Sequence, residues 1–168
     1  MVRYTKAPLL PVEPAQPDDY PAIAELTVRV YVDGGLASSA YAPELADVAG
    51  HASRSQVLVV REPDGRVVGS IALVLGGDFG NVIASDEESE FRMLVVDPRA
   101  QGRGIGELLV TTCLDRARDA KKRRMVLSTD PRMTAAHRLY QRLGFTRLPE
   151  RDWSPAPGVD LLVYARGL

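Results

Sequence analysis

The sequence is short of metal and redox chemistry, with a single cysteine, Cys113, and only two histidines, His51 and His137. One cysteine forms no internal disulfide, and two imidazoles with one thiol are too sparse a donor set for structural zinc, so no metal is expected. Charge of one sign is lacking too. Twenty-one Lys and Arg against 22 Asp and Glu give a formal net charge of −1. A dedicated nucleic-acid binder carries a basic domain with a pI above about 9, so nucleic acid is not an expected partner. No apolar run approaches the roughly 18 residues of a membrane span. The stretch Met1 to Val12 lacks the apolar run of about 7 to 15 residues that a signal peptide needs. A cytoplasmic protein without membrane contact is the expectation.

What remains is an ordinary globular composition, 45% hydrophobic and 26% charged over 168 residues. Residues 1–168 read as a single domain. At this length folding buries roughly 70% of the surface exposed by the unfolded chain, enough for a core without staples.

Five of the 12 prolines fall in the first 21 residues, which leaves room for one short edge strand around Leu9 to Val12. Asp18 or Asp19 then looks like an N-cap to a helix carrying Ile23, Leu26, Thr27 and Val30, which Asp33-Gly34-Gly35 ends. A second helix is expected from Pro43 to about Arg54, with proline in its first turn. Val57 to Val60 and Val67 to Leu75 flank Pro63-Asp64-Gly65, which is turn chemistry between the arms of a hairpin. Gly76 to Glu90 reads as a loop and Phe91 to Val96 as the strand after it. From Ile105 the pattern turns helical, with Ile105, Leu109, Cys113 and Ala117 on one side. Met125 to Ser128 is a buried strand. A further helix carries Ala136, Leu139, Tyr140 and Leu143, and Gly144 stops it. Phe145 to Leu148 and Val159 to Ala165 are the last strands, joined by a loop from Pro149 to Gly158. A hairpin followed by strand-helix-strand-helix-strand-strand gives an α/β layer around a partly antiparallel sheet.

The run Gln101-Gly102-Arg103-Gly104-Ile105-Gly106 sits between an expected strand and helix. Alternate glycines clear side chains from a place where backbone N–H groups converge, and the helix start adds free N–H groups and a positive dipole end. An anionic pyrophosphate suits that place, at about 0.3 to 1 kcal/mol from the dipole; a tight turn alone would use the same glycines. A P-loop is excluded because no Lys-Ser or Lys-Thr pair follows. A dinucleotide fold needs further βα units than the 38 residues after Asp130 allow.

Three blocks in order, Phe91-Arg92-Met93-Leu94-Val95-Val96-Asp97-Pro98, the Gln101 to Gly106 loop, and Ala136-His137-Arg138-Leu139-Tyr140-Gln141-Arg142-Leu143-Gly144-Phe145, resemble the GNAT acetyltransferase superfamily. The resemblance implies a mixed, mostly antiparallel sheet of six or seven strands with a splayed central parallel pair, flanked by about four helices. It implies acetyl-CoA as co-substrate, its pyrophosphate on Gln101, Gly102, Arg103, Gly104, Ile105 and Gly106. The pantetheine arm would run along Leu94, Val95 and Val96, with an N–H at Val96 as oxyanion donor. Tyr140 matches the acid that protonates the departing thiolate. Many members carry asparagine seven residues before that tyrosine, where this chain has Met133.

A thioester is already activated, so the acceptor amine attacks directly and no nucleophilic side chain is required. An amine with a pKa of about 10.4 must lose a proton against about 4.6 kcal/mol at pH 7, an α-amine only about 1 kcal/mol. Glu90, immediately before the strand at Phe91, is the candidate base, with Glu88 on the same side if the strand reaches back; a solvated acidic loop is the alternative for both. In the resembling family the first two helices and the last loop wall the acceptor site, which brings in Tyr31, Tyr41 and Trp153. His137 reads as a surface or capping residue. The acceptor class is a small-molecule or peptide amine, and the oligomeric state is open between monomer and homodimer. A non-catalytic acyl-CoA-binding sensor is the rival reading.

Overall fold

Val57 to Val60 and most of Val67 to Val74 are apolar at consecutive positions, the pattern of strands covered on both faces. In the computed structural model, which describes residues 9–168, they form β2 (Gln56–Arg61) and β3 (Val67–Val74), paired antiparallel. Most of the Met1 to Val12 stretch lies outside the described residues. The turn between the two strands uses Gly65 at φ 88°. Leu58, Val60, Ile71 and Leu73 face one layer of helices, and Val57, Val59, Ala72 and Val74 face the other.

The remaining strands are β1 (Val12–Pro14), β4 (Glu88–Val96), β5 (Arg124–Thr129), β6 (Thr146–Arg147), β7 (Trp153–Ala156) and β8 (Val159–Gly167). Among the described residues the sheet order is β1-β2-β3-β4-β5-β8-β6, with β7 paired to β8. Only β4 and β5 are parallel. Helices α1 (Tyr20–Val28), α2 (Ala42–Ala46) and α3 (Val48–Arg54) belong to one side, and α4 (Ile105–Asp119) and α5 (Thr134–Arg142) to the other. The buried stripe of α4 is Ile105, Leu109, Val110, Cys113, Leu114 and Ala117, so Cys113 is core. No helix of the described residues is long and apolar enough to cross a membrane.

Several expectations shift. The edge strand is Val12–Pro14, pairing with Leu58 to Val60, because Leu9 lies in the open. Asp19 does not cap α1 through its side chain; its carboxylate accepts from the Gln16 N–H at 2.7 Å and pairs with Arg61. The helix expected from Pro43 breaks at Asp47, whose side chain accepts from the Gly50 N–H and starts α3. β4 begins three residues early, at Glu88, so Glu88 and Glu90 are buried strand residues and only Asp86 and Glu87 stay in an exposed acidic loop. The Pro149 to Gly158 connection contains β7, which makes Trp153 a strand residue.

Candidate active site

Parallel pairing of β4 with β5 runs only over Glu88 with Arg124, Ser89 with Met125 and Glu90 with Val126. Beyond Glu90 the two strands part. On its other edge β4 is bulged: Ser70 pairs with Val95 and Ala72 with Arg92, so an extra residue of β4 is squeezed in. Met93 takes φ 54° there, a left-handed conformation costing a side chain about 1–2 kcal/mol. The bulge turns the strand where the gap opens.

A cavity of about 420 Å³ fills the gap. Its walls include Glu90 to Leu94 of β4, Ser128 to Asp130 from β5, Met133 and Tyr140, the Tyr31 and Leu36 to Tyr41 segments, and the β7–β8 hairpin with Trp153 and Leu161. Both catalytic candidates, Tyr140 and Glu90, and all three acceptor candidates, Tyr31, Tyr41 and Trp153, thus face one space. Of the three candidate pantetheine residues only Leu94 lines it. Val95 is buried under α1 and Val96 packs toward α4, so their contribution is backbone. The Leu94 carbonyl accepts from the Tyr31 hydroxyl at 3.2 Å.

Tyr140 is 3% exposed and packs against Phe91, Phe145 and Tyr164 with ring centroids 5.7 to 6.1 Å apart. Burial, with Tyr31 and Tyr164 adding to it, pushes its hydroxyl far above the ordinary phenol value. The phenol therefore keeps its proton, the form a general acid needs. Burial likewise pushes Tyr31 up to about 12. His137 lies in contact with neither role: its Nε2–H donates to the Asp130 carbonyl at 3.1 Å, and its ring lies 5.5 Å from Tyr164, so it braces the end of β5.

Glu90 has no exposed surface. One carboxyl oxygen, Oε2, accepts from the N–H groups of Asn81 and Val82 at 2.7 and 3.1 Å, while Oε1 has no partner among the described residues. Burial raises its pKa, against the two N–H groups and Arg92, which lower it. Glu88 is different. Arg151 grips it at 2.8 and 2.9 Å and the Ala84 N–H donates at 2.8 Å, so its carboxyl is held below the ordinary range. Glu88 is a strut, and Glu90 is the carboxylate with spare basicity.

The glycine loop lies at the head of α4. Asp97 accepts from the Arg99 N–H at 2.9 Å and from the Arg99 and Arg29 guanidiniums, which hold its carboxyl at about 2 and fix the turn after β4. Gly102 and Gly104 stand at φ 78° and 80°, and a Cβ on either would meet open space. The first ladder bond of the helix runs from Leu108 N–H to the Gly104 carbonyl at 2.9 Å, which leaves the N–H groups of Ile105, Gly106 and Glu107 without helical partners. Gly106 has another reason: a Cβ there would come within 3.3 Å of Leu139 and 3.7 Å of Val96. Ile105 is buried, and the Arg103 guanidinium is paired with Glu62, so the loop offers backbone rather than side chains. An open, donor-lined cradle beside a widening strand gap fits a pyrophosphate with a long extended arm.

The family model for the acetyltransferase (GNAT) family matches residues 20–145. The chain belongs to the GNAT family. Among curated relatives of this GNAT chain, mycothiol acetyltransferase of Cellulomonas flavigena is 32% identical over 113 residues, 62% of this chain and 32% of that protein. The matched part is thus about a third of the length of that relative. A GCN5-related N-acetyltransferase from Kribbella flavida is 28% identical with a TM-score of 0.70, covering 95% of this chain and 98% of its own. An acetyltransferase of Salmonella typhimurium, solved with its cofactor acetyl-CoA, is 24% identical with a TM-score of 0.65, covering 96% of this chain and 95% of its own, and shares the fold.

Among the polar groups of the GNAT cavity that sequence reasoning missed are Asn81 and Arg92. Asn81 sits in a loop without periodicity and carried no signal. Arg92 did: Glu90 and Arg92 are two apart, and alternation puts them on one face of a strand.

Proposed function

We propose that residues 1–168 form one N-acetyltransferase domain that moves an acetyl group from acetyl-CoA to a primary amine by direct attack. The observation that carries the reading is the convergence of Glu90 and Tyr140 on a cavity that opens where β4 leaves β5, beside a donor-lined glycine cradle. Acetyl-CoA supplies an activated acyl group as a thioester. The backbone from Gln101 to Gly106 would hold its pyrophosphate, and the free edge of β4 along Leu94, Val95 and Val96 would hold its arm. An N–H at Val96 would offset charge on the carbonyl oxygen.

Glu90 takes the proton of the ammonium and leaves a neutral nitrogen. That nitrogen forms the new bond to the acetyl carbon as the carbon–sulfur bond breaks. Tyr140 gives its proton to the sulfur, and the second proton, shed by the nitrogen as it becomes an amide, passes through water back to the tyrosinate; the water-poor site that strengthens the phenol's hold on its proton also raises the proton affinity of a thiolate beside it. Met133, at the N-terminal end of α5, supplies a thioether wall rather than an amide contact; its sulfur lies 3.8 Å from the Thr129 hydroxyl.

Calorimetric binding of acetyl-CoA to the wild type and to Gly104→Val, followed by thiol release with primary amines, tests the reading. The added side chain occupies the open cradle, so binding should fall at least tenfold in the variant, with a thermal melt confirming that it folds. Absence of binding by the wild type overturns the proposal. Binding without thiol release for any amine describes an acyl-CoA sensor instead.

A further inference from the structure

Arg92 follows Glu90 by two residues on β4 and lines the same cavity. Its guanidinium donates to the Phe79 carbonyl at 2.6 Å and lies 4.3 Å from the centre of the Phe79 ring, which fixes where the charge sits. That charge is felt by Glu90, Tyr31 and Tyr41, all three in the cavity wall. Every Asp and Glu of the chain lies among the described residues, and none forms an ion pair with Arg92 within 4.0 Å. A half-buried guanidinium that meets only the Phe79 carbonyl and the Tyr41 hydroxyl, with no carboxylate partner, is matched in shape and charge by a carboxylate.

Two buried polar atoms lack partners among the described residues, Glu90 Oε1 and Trp153 Nε1, and both belong to residues that line this cavity. One accepts and the other donates. The site therefore asks for a ligand with a donating cationic end and an accepting anionic end. Leu36, Leu45, Phe91, Met93 and Leu161 make much of the rest of the wall apolar.

We propose that the acceptor is a small zwitterion, a primary amine that also carries a carboxylate, seated with its amine toward Glu90 and its carboxylate toward Arg92. The proposal rests on the acetyltransferase reading and narrows its acceptor. Charge-assisted pairing with the guanidinium discriminates against the same amine without the carboxylate on the order of ten- to a hundredfold. A peptide N-terminus, which has an amide where the free amino acid has a carboxylate, falls outside the class.

Trp153 is the sole tryptophan, so its fluorescence reads occupancy of the cavity without any turnover. The CoA-saturated protein is titrated with L-phenylalanine, phenethylamine and L-phenylalaninamide, and with L-leucine and isoamylamine. The two amino acids should bind at least about tenfold more tightly than their uncharged-end partners. Arg92→Gln should erase that ratio and Arg92→Lys should keep part of it, with thermal melts showing both variants folded. Equal or weaker binding of the amino acids, no binding of either, or a ratio that survives in Arg92→Gln overturns the proposal. Thiol release from acetyl-CoA, read with the same amines in parallel solutions free of CoA, separates the two readings. Transfer to phenethylamine and the amide but not to phenylalanine keeps the acetyltransferase and rejects the zwitterion. Carboxylate-selective binding with no thiol release keeps the zwitterion site and rejects the transferase.

Discussion

At the scale of single residues, Tyr140 and Glu90 are separable by what each does to stability as well as to rate. Tyr140→Phe removes one oxygen and leaves the ring against Phe91, Phe145 and Tyr164, so the melting temperature should hold while kcat falls about tenfold or more and acetyl-CoA affinity does not change. Unchanged turnover would remove the hydroxyl from the chemistry. Glu90→Gln should lower kcat/KM by about a hundredfold and abolish the acid limb of the pH–rate profile, which burial places above the usual carboxylate range. The same substitution should stabilise the protein. A carboxyl whose folded pKa is raised contributes stability that is present below the unfolded value of about 4.3 and lost as pH rises through the folded one. Urea unfolding should therefore show Glu90→Gln gaining on the wild type from pH 5 to pH 8, and a constant difference would contradict this. The helix around Tyr140 was legible from its apolar spacing and its stop glycine, whereas a role as acid came only with the family resemblance. Glu90 was legible only as one acid among four in a polar run, since its two N–H donors come from Asn81 and Val82, whose position no local pattern encodes. For Arg92 alternation gave the face it shares with Glu90, but not its contacts with Phe79 or its lack of a carboxylate partner, which are facts of three-dimensional assembly.

At the scale of elements, the turn that leads into β7 and Trp153 is tied to β4 by an ion pair. Arg151 reaches from the turn before β7 to Glu88 at the start of β4 and also donates to the Val82 carbonyl. Removing one partner of a buried pair costs about 3 kcal/mol at the low end, because Arg124 and the Ala84 N–H remain on Glu88. Arg151→Ala should lose about that much in urea unfolding and red-shift Trp153 emission as the hairpin loosens; a loss below about 1 kcal/mol would mean that the pair is ornamental. Since Glu88 is held below its ordinary pKa, the stability it contributes is present above about pH 4.3 and lost as pH falls through the folded value. β7 escaped the sequence because Pro155 argues against a strand, and it is tolerated only because β7 sits at an edge. The early start of β4 escaped because Glu88-Ser89-Glu90 is polar, and these residues are buried only through partners distant in the chain. The β2–β3 hairpin and α4, by contrast, follow from apolar runs, turn residues and a stripe that are local.

At the scale of the whole molecule, the mixed sheet was legible from element order, whereas the parting of β4 from β5 was not readable from composition or periodicity and came only through family resemblance. A gap is a property of two strands and of what fails to join them. The core on the α4 side has one more consequence, through Cys113. The thiol is wholly buried, burial pushes it up to about 12, and it is the chain's single cysteine. The folded molecule is therefore chemically mute to a disulfide exchange reagent, and each modification event marks one opening of the α4 layer. The modification rate under native conditions then measures how often that layer comes apart, a quantity that melts report only at high temperature. Acetyl-CoA, which carries no free thiol, should slow it in proportion to site saturation if the opened form has lost the glycine cradle that α4 begins with.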